Sequence, residues 1–121
     1  MIKMYGIPNC DTVKKAMSFL NSHNIAFEFH NYKTEGVSAA KLTKWCRQKG
    51  WETLFNKRSS TWKDLKLTRN IEVEDQAKAI EIMQANTSII KRPVIEFNEE
   101  IIVGFSEKEY LEVIINNQAK N

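Results

Sequence analysis

Tyr5-Gly6-Ile7-Pro8-Asn9-Cys10-Asp11-Thr12-Val13-Lys14-Lys15-Ala16 sets a lone cysteine between a short apolar strand, marked by Ile2 and Met4, and an amphipathic helix. Gly6 and Pro8 punctuate the joint as a turn. A free cysteine often serves as a small buried apolar residue, but turns are exposed, and that argues against such a role here. A helix start carries unpaired backbone N–H groups and about half a positive charge from its aligned peptide dipoles. A thiolate placed there is stabilised relative to the thiol. The pKa of Cys10 is therefore expected to fall from about 8.5 toward the ~3.5–7.5 range of reactive cysteines.

Outward from this joint, Val13, Ala16, Met17 and Leu20 recur at helical spacing and predict a helix over about 11–23. Asn9 or Cys10 takes its cap, and Asn24 ends it in the left-handed conformation. The alternation in Phe27-Glu28-Phe29-His30-Asn31-Tyr32 predicts a second strand, completing a βαβ unit with the usual right-handed crossover. A helical stretch follows. Ser38 caps a helix that runs to Lys49 and stops at Gly50, Trp51, Leu54 and Phe55 mark a short helical piece, and Thr61-Trp62-Lys63-Asp64 marks a brief turn. Glu72, Glu74 and Asp75 crowd the start of a helix carrying Val73, Ala77, Ile80 and Met83. Trp45, Trp51 and Trp62 are expected to fill a core rather than stack on bases.

The strand signal returns in Pro93-Val94-Ile95-Glu96-Phe97 and Ile101-Ile102-Val103, joined as a hairpin through Asn98-Glu99-Glu100. Pro93 opens its strand, and Gly104 is expected where backbones approach closely. Ser106-Glu107-Lys108-Glu109 is a capping-box sequence for a last helix with Tyr110, Val113 and Ile114 facing in, and the tail from Asn116 is polar. No internal repeat or low-complexity segment interrupts this order. The sequence βαβ, helical block, ββα describes an α/β thioredoxin-like fold with a four-stranded mixed sheet and an enlarged helical insertion. The expectation is a single domain over 1–121, with thioredoxin-like parts 1–33 and 87–117 and the insertion at 34–86.

With 121 residues, 42% hydrophobic and 27% charged, the chain can bury a core without disulfides or metal. It contains no run of about 18 apolar residues, and its start reads straight into a strand without a signal-peptide apolar region, so no membrane contact and a cytoplasmic location are expected. A net charge of +3 favours small anions over nucleic acid. Lys41, Lys44, Arg47 and Lys49 alternate with Leu42, Trp45 and Cys46, the pattern of a solvated helix face. Cys46 falls on the apolar side of that helix and is expected to pack in the core. No Cys-x-x-Cys is present and His23 and His30 stand apart, so no metal site is expected.

Thioredoxin-like folds place the reactive cysteine beside the loop preceding the third strand, here Lys91-Arg92-Pro93, where a cis Arg92–Pro93 bond would re-aim the arginine. Val13 stands where a second cysteine would close a local disulfide, so an adduct on Cys10 needs an external thiol, and glutathione is the abundant cytosolic candidate. Arg92, Arg58 and Lys14 are candidate partners for its carboxylates. Arg58, in Asn56-Lys57-Arg58-Ser59-Ser60, reads equally well as a solvated loop cation.

The opening stretch, Asn56-Lys57-Arg58 with Thr61-Trp62, Ile90-Lys91-Arg92-Pro93 and Val103-Gly104-Phe105 together resemble the arsenate reductase (ArsC)/Spx family over about Ile2 to Ile115. The resemblance implies Cys10 as nucleophile, with Arg58 and Arg92 as catalytic anion binders. Asn9, Asp11, Thr12, Lys14 and Pro93 are expected to line the substrate site, with no metal. Two departures matter. Glutaredoxin-coupled arsenate reductases carry a third arginine where this chain has Phe105, and Gly-Thr after the cysteine where it has Asp11-Thr12. Both departures resemble the branch of glutathione-dependent thiol reductases, with glutathione as co-substrate and an oxidised thiol or small oxyanion as substrate. The alternatives are an arsenate reductase partnered by glutaredoxin and an Spx-like regulator that binds RNA polymerase, although Val13 removes the Cys-x-x-Cys switch of many such regulators.

Overall fold

Strand β1 (Ile2–Gly6) is central in a four-stranded sheet of order β2-β1-β3-β4, and all but one of its residues are buried. Apolar side chains at nearly every position suit a strand covered on both faces. The computed structural model describes residues 2–116 of the chain. β2 (Phe27–Asn31) pairs parallel with β1, Met4 opposite Phe29. β3 (Val94–Phe97) pairs antiparallel on the other side, Met4 opposite Ile95, and β4 (Glu100–Val103) pairs antiparallel with β3. The architecture is thioredoxin-like, as the order of elements predicts. The hairpin turn is tighter than expected. Asn98 and Glu99 alone make it, both with positive φ (49° and 67°), the backbone that matches strand twist, and Glu100 joins β4 opposite Phe97.

Two compact units emerge. One is made of the segments through Asn31 and from Arg92 onward, and the other is Tyr32–Lys91. In the first, α1 (Asp11–Ser22) buries Val13, Ala16, Phe19 and Leu20 against Ile2, Met4, Ile95 and Ile102 of the sheet. Phe19 joins the expected apolar stripe, its ring meeting Phe105 and Tyr110 edge-on at 5.8 and 5.7 Å between centroids, while Met17 packs half-buried against the same core. Asn24 takes the left-handed conformation expected of it (φ 58°). Ser106 caps α7 (Glu107–Tyr110) by accepting the Glu109 N–H at 3.3 Å, and the chain continues in a π-helical turn, Leu111–Ile115. The polar tail lies outside the described residues from 117 on. Gly104 is needed for a reason other than the expected close approach. Its φ is +85° and a Cβ there would touch nothing within 4 Å, so its backbone conformation is what selects glycine.

The second unit is helical. Tyr32 opens a short helix, α2 (Tyr32–Glu35), instead of ending β2. Ser38 caps α3 (Ala39–Lys49) by accepting the Lys41 N–H, and Gly50 (φ 84°) stops it. After α4 (Trp51–Leu54), the brief turn expected at Thr61 is a full helix, α5 (Ser60–Arg69), capped by Ser59. Its surface is polar nearly all round, with Leu67 exposed, so apolar periodicity could not reveal its length. Asp75 caps α6 (Gln76–Ala85), whose buried stripe is Ala79, Ile82 and Met83. Val73 precedes that helix and Ala77 is exposed, which corrects the predicted face by two residues. A 3-10 turn, Thr87–Ile89, follows. Trp45, Cys46 and Trp62 are buried as expected, Trp62 edge-on to Phe55 at 4.9 Å, whereas Trp51 is only half-buried.

Candidate active site at the start of the first helix

Extended backbone at Cys10 (φ −129°, ψ 127°) makes it the N-cap of α1, and the Lys14 N–H donates to its carbonyl at 3.0 Å. The approach to it is exposed at Pro8 and Asn9, and Cys10 itself is half-buried. As a thiol, Cys10 makes no capping hydrogen bond; the first-turn amides exert their pull on the thiolate. Burial pushes the thiol's pKa up. Against it work the Val13 amide, the Arg92 side chain as donor, the Thr12 amide and the Arg92 charge, and together they hold the thiol below its ordinary range. Two of the three groups responsible, Val13 and Thr12, act through backbone alone. Asp11, the adjacent carboxylate, is exposed and is not among the groups that set this ionisation.

Arg92 reaches the site because the chain re-enters the sheet there. The Arg92–Pro93 bond is cis, and the Pro93 carbonyl accepts from the Gly104 N–H at 2.8 Å, anchoring the loop to the end of β4. Pro93 is buried and immediately precedes β3. A residue that sequence reasoning assigned only to a turn completes this corner. Gly6, the last residue of β1, faces Val13 and Arg92. A Cβ there would lie 2.9 Å from Val13 Cγ2 and 3.8 Å from Arg92 Cβ, so the bare backbone lets the helix start and the arginine approach the strand. The paired clue was available in principle: a glycine ending a strand just before a helix start.

The structure thus gathers Cys10, the amide of Thr12, Arg92 and Pro93 into one corner, with Asn9, Asp11 and Lys14 exposed around the helix start. Arg58 belongs to the helical unit. Its N–H donates to Asn56 Oδ1 at 3.1 Å and the next residue, the buried Ser59, caps α5, so the Arg58 backbone is held while Arg58 itself is exposed. Phe105 packs edge-on to Tyr110 at 5.1 Å and joins Phe19 in an aromatic trio. Cys46 is buried in α3, and burial pushes its thiol up. Among the described residues no three histidines, cysteines or carboxylates gather as a metal cluster, and no helix is long and apolar enough to cross a membrane.

A thioredoxin-like fold with one acidified thiol at the start of its first helix defines the thiol-based oxidoreductase class. Within it, the chain belongs to the ArsC family, whose sequence profile matches residues 5–113. A relative from Haemophilus influenzae, described as an uncharacterized protein, is 43% identical over 110 residues, covering 91% of this chain and 96% of its own. The solved structure of the YFFB protein superposes with a TM-score of 0.88 at 39% identity, covering 94% of this chain and 99% of the other. The global transcriptional regulator Spx of Streptococcus mutans is 29% identical over 111 residues, covering 90% of this chain and 80% of the regulator.

Proposed function

We propose that this protein is a glutathione-dependent thiol-disulfide reductase that works through Cys10 alone. The observation that carries the reading is the half-buried thiol of Cys10, held low by Val13, Thr12 and Arg92, with a fully buried Val13 where a resolving cysteine would stand. The Cys10 thiolate attacks one sulfur of a disulfide, forming a new S–S bond and expelling the other half as a thiolate that takes up a proton. A glutathione thiolate then attacks the mixed disulfide, and Cys10 leaves as thiolate. The substrate half departs as a disulfide with that glutathione, which a second glutathione resolves. Two glutathiones thus become one oxidised glutathione, two electrons reach the substrate disulfide and the protein is unchanged. Arg92 stabilises the thiolate both as attacker and as leaving group. Arg92 and Lys14 bind the carboxylates of glutathione, with Asn9, Asp11, Thr12 and Pro93 lining the site. Glutaredoxin and arsenate belong to the neighbouring reading of an arsenate reductase, which the uncharged Phe105 disfavours.

The test is incubation of the reduced protein with oxidised glutathione followed by intact-mass and peptide mass spectrometry. One glutathione on Cys10, removed by added reduced glutathione, is expected. An adduct on Cys46, or none, would sink the proposal. The likeness to Spx supports a second reading, a transcriptional regulator acting through RNA polymerase. Capture of polymerase in a pull-down by protein that exchanges with no glutathione would favour it.

A further inference from the structure

A groove of about 690 Å³ runs along α1 away from Cys10, between that helix and the segment from Phe105 to Leu111. Lys14, Ser18 and Ser22 recur every four residues as one stripe on α1, beginning four residues after its cap, Cys10, and they line the groove. At about 1.5 Å per residue this stripe extends roughly 18 Å from the thiol. The floor is apolar, from Phe19, Phe105 and Leu111. Leu111, at 41% exposed, is one of two large hydrophobic side chains that the described residues leave open to solvent. The charged groups on the walls are Lys14, Lys15 and Glu107, a net positive rim whose cations stand nearest the thiol. An apolar floor with a polar rim, continuous with a nucleophile, has the makings of a recognition surface.

We propose that this groove docks the polypeptide part of a protein disulfide substrate, which rests on the Cys10 reading above and narrows its substrate class. The occupant is an extended segment with an acidic residue close to its cysteine and an apolar residue further along. At about 3.3 Å per extended residue, a cysteine sulfur at Cys10 puts the residue some two positions away beside Lys14 and Lys15. The residue some four positions away reaches Phe19, Phe105 and Leu111. Glutathione, a tripeptide, would occupy only the thiol end. The exchange itself is unchanged: Cys10 takes the peptide sulfur into a mixed disulfide, the partner thiolate leaves and is protonated, and two glutathiones restore both thiols and depart as oxidised glutathione.

Docking and chemistry are tested separately. Docking is read with Cys10→Ser protein and the probes acetyl-Ser-Ala-Glu-Ala-Leu-Phe-amide and its reversed sequence, followed by backbone NMR. One of the two is expected to shift Lys15, Ser18, Phe105 and Leu111. It should bind about tenfold tighter than its Lys-for-Glu counterpart, a preference that shrinks in salt. Leu111→Glu, an exposed position, should abolish that preference. Chemistry is read with the cysteine form of the probe as its glutathione disulfide. Leu111→Glu should slow Cys10 exchange with it about tenfold and leave exchange with oxidised glutathione unchanged. Shifts confined outside the groove, equal binding of the Glu and Lys probes, or equal slowing of both disulfides would overturn the proposal. So would self-association through these residues, seen by sedimentation, since a second copy would then be the occupant. Docking with no exchange toward any disulfide sinks the Cys10 reading; exchange with oxidised glutathione but no docking sinks only the groove.

Discussion

Cys10 and Cys46 are the same side chain in two settings. Burial raises the pKa of both, and at Cys46, inside α3 beside Leu42 and Trp45, nothing opposes it. At Cys10 two helix-start amides and a guanidinium outweigh the same penalty and reverse its sign. Desolvation is what the two thiols share; the donors facing the sulfur are what divides them. A cysteine therefore gains nucleophilicity from where the backbone begins a helix and from which cation the fold brings there.

The comparison breaks most sharply under alkylation. Cys10→Ser should lower native-state labelling by iodoacetamide at neutral pH by about a hundredfold or more, because the remaining thiol is buried and kept protonated. Peptide mapping checks it, and rapid labelling at Cys46 before unfolding would refute the contrast. Next in size is Gly6→Ala. The new methyl meets Val13 Cγ2, a stiff and fully buried side chain, so a loss of about 1–3 kcal/mol in denaturant unfolding is expected, with the Cys10 pKa rising as Val13 and Arg92 are pushed away. Unaltered stability would mean the corner is looser than its geometry.

Arg92→Ala should raise the Cys10 pKa by about one unit, read as the midpoint of alkylation rate against pH, and weaken glutathione binding. Arg92→Lys should restore part of the pKa shift but less of the binding, because the charge remains and the planar fork does not. Phe105→Arg should raise arsenate turnover only slightly, since the side chain it replaces packs against Phe19 and Tyr110 and the aromatic trio is lost with it. The smallest effect is on stability. A depressed folded-state pKa stabilises the fold above the unfolded thiol's pKa, and that contribution is lost as pH falls through the lower folded value. The stability gap between wild type and Cys10→Ser should thus widen as pH climbs toward the ordinary thiol range. A gap that is flat or narrows would contradict the depressed pKa.

Much of the fold was legible because its signals are local. The Ser38 and Ser106 caps, the stop at Gly50 and the alternating strands each rest on residues a few positions apart. Helix α5 was not legible, since its surface carries too little apolar pattern to mark an end. The face of α6 was misjudged because Val73, apolar but outside the helix, was counted into its period. In the candidate site, Cys10 could be found from the turn and Arg92 from its proline. The close approach of Val13 and Arg92 to Gly6 left only a hint, a glycine ending a strand before a helix start, because the distances depend on atoms brought together by the sheet.

The Thr12 and Val13 amides carry a lesson for anyone redesigning this corner. They belong to the peptide backbone, so no substitution except proline deletes them; with any other residue they persist wherever a helix begins at Asp11. That part of the anion-holding apparatus is portable with the scaffold, whereas the Arg92 part is editable. Exposed positions such as Asn9, Asp11 and Thr12 can then be varied to retarget the site while a basal level of thiolate survives, and the practical limit on such variation is whatever still lets the first turn form.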